Sequence, residues 1–316
     1  MAQKLLLIDG NNLGHYYNNS KPLTIGSLKV QAIYNFLKGI RQFVALFQTH
    51  KPIVIWDGAS WRRMMFAEYK ENRERRETKS EIRLAKLKDE YKLQVPYIKK
   101  ALRMLGIAQV SALNMEADDL GAILTDRCIA NGGSVVLLTG DKDWLQLVGP
   151  GVVWRDPIHD RVVTEKNFKD FTGLDTTRQF VEMKALAGDS GDNVPGVGGI
   201  GEKGAIDFLN KYGSFTNFTN GVLFEKTIDF DTLPKKFKAL VEDEEKTIIF
   251  SRNIDLVDLR TPRRPIPLNL QIDHGEPDAT KFQRFCEILL FNSITKNLSD
   301  WLAVFPAFRE SLHAAA

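Results

Sequence analysis

The stretch KLLLIDGNN, residues 4–12, reads as a buried strand that ends in an acid and opens into a loop. Its apolar run is unbroken, as in a strand covered on both faces. Three more runs repeat the design: KPIVIWDG (51–58), GIAQVSALN (106–114) and GGSVVLLTGDKDW (132–144). Helical patterns lie between them, from about Leu28 to Phe47 and from Ala117 to Ile129, and GVVWRDPIHDRVVT (151–164) reads as a short hairpin. Strands alternating with helices predict an α/β fold with a doubly wound, mostly parallel sheet. Ligands of such sheets bind outside the carboxyl ends of the strands. Asp9, Asp57, Asp141 and Asp143 all stand just past such ends.

NMEADDLGAIL (114–124) adds Glu116, Asp118 and Asp119 at a helix start. A helix N-terminus welcomes negative charge, but capping needs one acid, not three. Taken singly, Asp9 fits a turn, and Asp141 or Asp143 fits a cap. Together with Asp189 and Asp192 they form a set that demands another explanation. Converging carboxylates repel unless protons or cations neutralise them. Magnesium and manganese take oxygen ligands. Two such ions ~4 Å apart can clamp the attacking and leaving oxygens of a phosphodiester. The histidines, at 15, 50, 159, 274 and 313, do not cluster, which argues against zinc.

Two segments interrupt the alternation. Trp61 to Lys92 is dense in both charges and poor in large apolar residues, and predicts exposed helical arms. Within it, Tyr69, Lys70, Arg73, Arg75 and Arg76 bring an aromatic and cations together. Lys70 and Arg73, about one helical turn apart, could contact a scissile phosphate, and Tyr69 could stack on an unpaired base. The plainer alternative is a solvated helix, since Glu68, Glu71, Glu74 and Glu77 interleave with the bases. The second segment, VPGVGGIGEKGAIDFL (194–209), puts Gly196, Gly198, Gly199 and Gly201 ahead of a helix bearing Lys203. No strand precedes these glycines, so they make no dinucleotide fingerprint, and Gly204 after Lys203 excludes a Walker loop. A hairpin between helices that grips a duplex backbone by its phosphates fits better.

The chain of 316 residues carries a net charge of +3, in which acids that recruit metal and bases that hold phosphate would cancel, so the sum decides little. Cys128 and Cys286 form no CxxC pair, which suits a reducing compartment. The apolar run after Lys4 is too short for a signal peptide, and none is long enough to span a membrane. A soluble cytoplasmic protein is expected. The pattern turns helical past a boundary near residue 180, and FQRFCEILLFNSITKNLSDWLAVF (282–305) reads as a helical run packing back on the body. The closing HAAA reads as a frayed end.

LLLIDGNN, VIWDG, EYKENR, EADD, TGDKDW and GDSGDNVPGVGGIGEKGA occur in the order seen in the 5′-nuclease, or flap endonuclease, family. The resemblance spans roughly Leu5 to Tyr212, and the length is most similar to bacteriophage members; the nuclease domain of bacterial DNA polymerase I is a related alternative. It implies a PIN-like nuclease domain at 1–180 with a helical arch at about 61–92. It further implies a C-terminal helical domain at 181–316 with a helix-hairpin-helix at about 189–212. Asp9, Asp57, Glu116, Asp118 and Asp119 would serve a first Mg2+ or Mn2+, and Asp141, Asp143, Asp189 and Asp192 a second, with some shared. Lys70, Arg73 and Tyr69 match the arch residues of the family, and a 5′ single strand would thread the arch. The hairpin would hold downstream duplex, with a potassium ion on its carbonyls. Gly191 and Gly204 depart from the Ser and Thr of many members; the second departure would weaken a phosphate or hydroxyl contact.

The resemblance therefore implies a metal-dependent, structure-specific 5′ nuclease acting on DNA with a 5′ flap or 5′ single-stranded end, in replication or repair. It would leave a 5′-phosphate and a 3′-hydroxyl. A monomer suffices, and no protein partner is indicated. The rival readings are a PIN-type ribonuclease, a non-catalytic DNA-structure binder and a phosphatase on the same kind of sheet.

Overall fold

The structure, a computed structural model, describes residues 2–313; the expectation for the last three residues lies outside them. Its centre is a seven-stranded sheet of β1 (Lys4–Asp9), β2 (Lys51–Trp56), β3 (Ala108–Ser111), β4 (Ser134–Leu138), β5 (Val152–Asp156), β6 (Arg161–Val163) and β7 (Gln271–Asp273). The spatial order is β7-β3-β2-β1-β4-β5-β6. The five inner strands are mutually parallel, and β6 and β7 pair antiparallel at the edges. The doubly wound α/β expectation holds.

The alternation of β1 explains the two cores. Successive side chains of a strand point to opposite faces. Leu5 and Leu7 enter a core with Ile55, Trp144 and Trp154. Leu6 and Ile8 enter another with Phe36, Val54 and Trp56. Helices α1 (Gly10–Asn18), α2 (Gln31–Leu46) and α3 (Lys79–Met104) cover that second face, and α4 (Ala117–Ala130) lies on the first. Asp9 is opposite Ile55, and Ile8 opposite Leu138, so β1, β2 and β4 end in step and their following loops open on one edge.

The arch departs from the expected pair of helical arms. Its first half holds only two single 3-10 turns, Trp61–Met64 and Glu71–Glu74. Lys70 between them is left-handed at φ 59°, a conformation that cannot continue a helix. The second half is the start of α3, where Thr78 and Glu81 form a reciprocal capping box.

The C-terminal part contains α5 (Thr177–Ala187), α6 (Glu202–Tyr212), α7 (Phe215–Leu223), α8 (Lys235–Glu242), α9 (Glu244–Val257) and α10 (Ala279–Ile288). The boundary expected near residue 180 falls inside α5. Buried Asn253 of α9 donates to the carbonyls of Ala185 (2.9 Å) and Pro195 (2.8 Å), fixing α5 and the glycine hairpin to one helix. The run at 282–305 does pack back on the sheet: Phe282, Phe291, Trp301 and Phe305 join the core of α2 and α3. It is several short helices rather than one, broken at Leu290, which is left-handed at φ 49°.

Candidate metal centre and nucleic-acid interface

Each strand-end acid is held by the backbone that follows it. Asp9 caps α1 by accepting from the Asn12 amide (2.9 Å) and also accepts from the Thr139 hydroxyl (3.0 Å). Asp57 accepts from the Ala117 amide (2.8 Å) and from Asn11. Asp141 caps the 3-10 turn Lys142–Leu147 by accepting from the Asp143 amide (2.9 Å). Asp118 accepts from the Trp144 indole (2.7 Å). An ionised carboxylate has about four acceptor sites, more than these bonds use, so capping and metal binding are compatible here.

The hairpin brings its acids to the same place. Gly188–Asp189 pairs antiparallel with Val194–Pro195, and Asp189 Oδ1 accepts from the amides of Gly191 (2.9 Å) and Asp192 (3.2 Å). Asp118, Asp143, Asp189 and Asp192 line one small cavity with Tyr69, of about 10 Å³. Oxygens of Asp143, Asp189 and Asp192 all lie within 4.8 Å of one another. Segments from β4, α4 and the hairpin thus converge on one point.

Asp119 stands apart. It is fully buried, and both its oxygens are taken: Arg62 donates Nη2 to Oδ1 (2.9 Å) and Nη1 to Oδ2 (3.0 Å), and the Trp61 indole donates to Oδ2 (3.1 Å). Arg62, itself buried, also reaches Glu116 (3.2 Å) and the Leu256 carbonyl (2.7 Å). It ties the arch, α4 and α9 together. Removing one partner of a buried pair leaves a bare charge and costs ~3–5 kcal/mol. Asp119→Ala is therefore expected to lower the melting temperature sharply even in chelator. A pure metal ligand would show no such loss without metal.

Charge sets the protonation of the site. Burial, then neighbouring Asp57, pushes the Asp9 carboxyl up to about 7; burial and Asp143 do the same for Asp141, also to about 7. Burial and Asp141 raise Asp118 well above the usual carboxylate range. Asp57 keeps an open face to solvent, but the protein packed on its other sides, together with Glu116, raises it too. Glu116 runs the other way: burial would raise it, but Lys70 and Arg62 outweigh burial and hold it at about 2. Asp9 and Asp141 bind a proton more tightly folded than at their ordinary 3.8. The stability they lend is full below that value and drains as pH rises through about 7. In chelator the melting temperature is expected to fall between pH ~5 and ~8, and added magnesium to raise it more at pH ~8 than at pH ~5. Equal magnesium shifts at both pH values would show that these acids do not meet the metal.

The arch cations lie on this edge. Lys70 contacts Glu116 and sits 3.5 Å from Asp192, and its left-handed backbone is held by a bond from its amide to the Asp192 carbonyl (2.8 Å). Arg73 contacts Asp192 and the Gly191 carbonyl (3.2 Å). Tyr69 corrects the stacking expectation. Its ring is buried against Phe66, Val194 and Leu256, so it offers no face to a base. Its hydroxyl instead donates to Asp192 (2.7 Å) and Glu116 (3.3 Å). Arg73 and Arg75 line a cavity of about 350 Å³ with His15 and Lys88 below the arch; Arg76 is exposed and paired at 3.8 Å with Asp89.

In the hairpin, Gly198 (φ +83°) and Gly199 (φ +75°) take left-handed conformations that suit glycine. Gly196 sits at the hairpin base against the end of α5, and Gly201 caps α6, which carries exposed Lys203 in its first turn. Lys246, from α9, donates to the Val197 carbonyl (2.6 Å). The sequence reading missed Lys184, Arg62 and Lys246. Each acts through space from a segment with no motif of its own.

The donor set is all oxygen, and ammonium groups of Lys70 and Lys184 already stand among the carboxylates as organic cations. Both observations fit hard divalent cations. A parallel sheet that gathers carboxylates at its carboxyl edge, beside a cationic arch and a helical hairpin unit, is a nuclease architecture. The chain belongs to the 5′–3′ exonuclease family. Residues 4–173 match its N-terminal resolvase-like domain, and residues 176–280 its C-terminal SAM fold. A 5′–3′ exonuclease of Aquifex aeolicus is 32% identical over 220 residues, 67% of this chain and 71% of the relative. DNA polymerase I of Streptococcus pneumoniae is 28% identical over 314 residues, 94% of this chain but 33% of the relative; the chain spans about a third of such polymerases. Among solved structures, the flap endonuclease of bacteriophage T5, in a pseudo-enzyme–product complex with DNA and metal ions, superposes with a TM-score of 0.64. It is 24% identical, with 96% of this chain and 99% of that chain covered. Among the described residues no helix is long and apolar enough to cross a membrane.

Proposed function

We propose that this chain is a magnesium- or manganese-dependent, structure-specific 5′ nuclease. It would hydrolyse DNA phosphodiesters where a 5′ single strand meets duplex. The observation that supports it most is the convergence of Asp118, Asp143, Asp189 and Asp192 from three separate segments, with Lys70 and Arg73 on the same edge. Asp9, Asp57, Glu116, Asp118 and Asp141 would hold a first cation, and Asp143, Asp189 and Asp192 a second. Asp119 would support Arg62 rather than ligate. Divalent cations bound there supply Lewis-acid activation of water and neutralise charge on the phosphodiester.

The chain's own residues do the rest. The Lys70 ammonium and Arg73 guanidinium would turn from Glu116 and Asp192 to the phosphate as it arrives, stabilising its developing charge. Tyr69 would keep Asp192 and Glu116 in place through its hydroxyl. Arg75, Arg76, Lys203 and the amides near Gly196, Gly198, Gly199 and Gly201 would hold the nucleic-acid backbone without reading sequence. We divide the work between a nuclease unit that ends just before α5, slightly ahead of the expected residue 180, and a duplex-gripping unit from α5 onward. A monomer in the cytoplasm of a bacterial or phage-infected cell would suffice.

The test is internally labelled 5′-flap DNA against matched single-stranded, blunt-duplex and RNA substrates, with magnesium and with chelator. Magnesium-dependent cutting near the flap junction is expected. Cutting of RNA alone would select the ribonuclease reading, and binding without cutting the structural one. The same assay with sodium in place of potassium tests a potassium ion on the hairpin carbonyls, one of which Lys246 already holds.

A further inference from the structure

Lys184 projects from α5 into the acidic edge. Its Nζ contacts Asp143 and lies 2.7 Å from Asp189 Oδ2, bridging the loop after β4 to the hairpin. These are two of the three acids whose oxygens cluster within 4.8 Å. The side chain is only 15% exposed, and these two carboxylates are its acceptors among the described residues. An ammonium is a compact point charge with three donors on a flexible stem, able both to fill a cation's place and to leave it.

We propose that Lys184 is a resident cation of the second metal position, a proposal that rests on reading Asp143, Asp189 and Asp192 as metal ligands. When no divalent ion is bound, its ammonium neutralises Asp143 and Asp189 and keeps the hairpin docked on the sheet. A divalent ion entering there must displace Nζ from at least one of the two carboxylates. Lys184 therefore weakens that position and shifts its filling to higher metal concentration. Lys70 only borders this position, 3.5 Å from Asp192, and its closer contact is with Glu116 at the first. Lys184 is a positioning residue, and its effect is on metal affinity and on assembly of the acidic edge.

The experiment titrates Mn2+ into DNA-free full-length protein, following free Mn2+ by electron paramagnetic resonance, for the native chain, Lys184→Met, Lys184→Gln and Asp143→Asn. Thermal melts in chelator and in Mn2+ accompany each titration. Lys184→Met is expected to tighten the Mn2+ site that Asp143→Asn removes by ~10-fold or more, the scale on which supporting residues tune metal affinity. It should also melt lower than the native chain in chelator and gain more from Mn2+. Lys184→Gln, which keeps a donor but no charge, should behave likewise and serves if the Met variant does not fold. Unchanged or weaker Mn2+ binding in both lysine variants would overturn the proposal while leaving the metal reading intact. If the native chain binds no Mn2+ that Asp143→Asn removes, the metal reading itself fails, and the proposal with it.

Discussion

Asp143→Asn is expected to lower cleavage of 5′-flap DNA by more than ~100-fold while leaving flap binding near that of the native chain, since loss of merely supporting residues at metal sites typically costs ~10–100-fold. The reasoning is geometric. Asp143 shares a 4.8 Å cluster with Asp189 and Asp192, and lines the same cavity as Asp118. Asparagine keeps the shape and one oxygen but removes the charge that makes the trio attractive to a divalent ion. The Asp143 amide, which satisfies the cap of Asp141, is untouched, so the fold of that turn is preserved. Binding rests on the arch cations and the hairpin amides; the link from Asp143 to the hairpin runs through Lys184, for which asparagine keeps an acceptor oxygen. Single-turnover cleavage at saturating magnesium, beside an affinity measurement in chelator, separates the two quantities. Cleavage comparable to the native chain would remove Asp143 from the metal centre, and parallel loss of binding would assign it a structural role.

What could be read from the chain, and what could not, divides along a physical line. Asp9, Asp57 and Asp141 were legible because strand period and strand end are local properties, and a parallel sheet aligns strand ends without further information. Asp118 and Asp119 were not separable, since neighbours on a helix point in different directions and only the packed structure decides which one meets solvent. Asp118 faces Trp144 and the cavity, whereas Asp119 faces Arg62. Arg62 and Lys184 were illegible because their partners lie 57 and 41 residues away, at Asp119 and Asp143. The strand β7 was missed because three residues at a sheet edge, largely exposed, give almost no periodic signal. Tyr69 was misread for a related reason: beside lysine and arginine an aromatic looks like a stacking platform, but the hairpin's Val194 and α9's Leu256 close over its ring. The break at Leu290 has no glycine or proline to announce it.

Lys70→Ala is expected to reduce the cleavage rate by ~10²–10³-fold, the cost of losing one preorganised charge aimed at a transition state, with a much smaller change in duplex affinity. Affinity is spread over Arg73, Arg75, Arg76, Lys203 and the hairpin amides, so one cation contributes only a fraction of it. The rate has no such reserve. Lys70 is placed by a left-handed backbone that its amide bond to the Asp192 carbonyl maintains, and sparsely populated backbone of this kind persists only where surrounding contacts enforce it. Its ammonium is within reach of both Glu116 and Asp192, and so borders both proposed cation positions. Lys70→Arg is expected to recover little, because a planar guanidinium cannot reproduce a point charge in a pocket where the lysine side chain is 13% exposed. Releasing Glu116 from Lys70 also lets its carboxyl rise from about 2, so the alanine variant should lose its remaining activity at a higher pH than the native chain as the medium is acidified. Burst and steady-state rates on flap DNA across pH, set beside equilibrium binding, carry both readouts. Equal losses in rate and affinity with an unmoved acid limb would make Lys70 a binding residue and leave the transition state to Arg73.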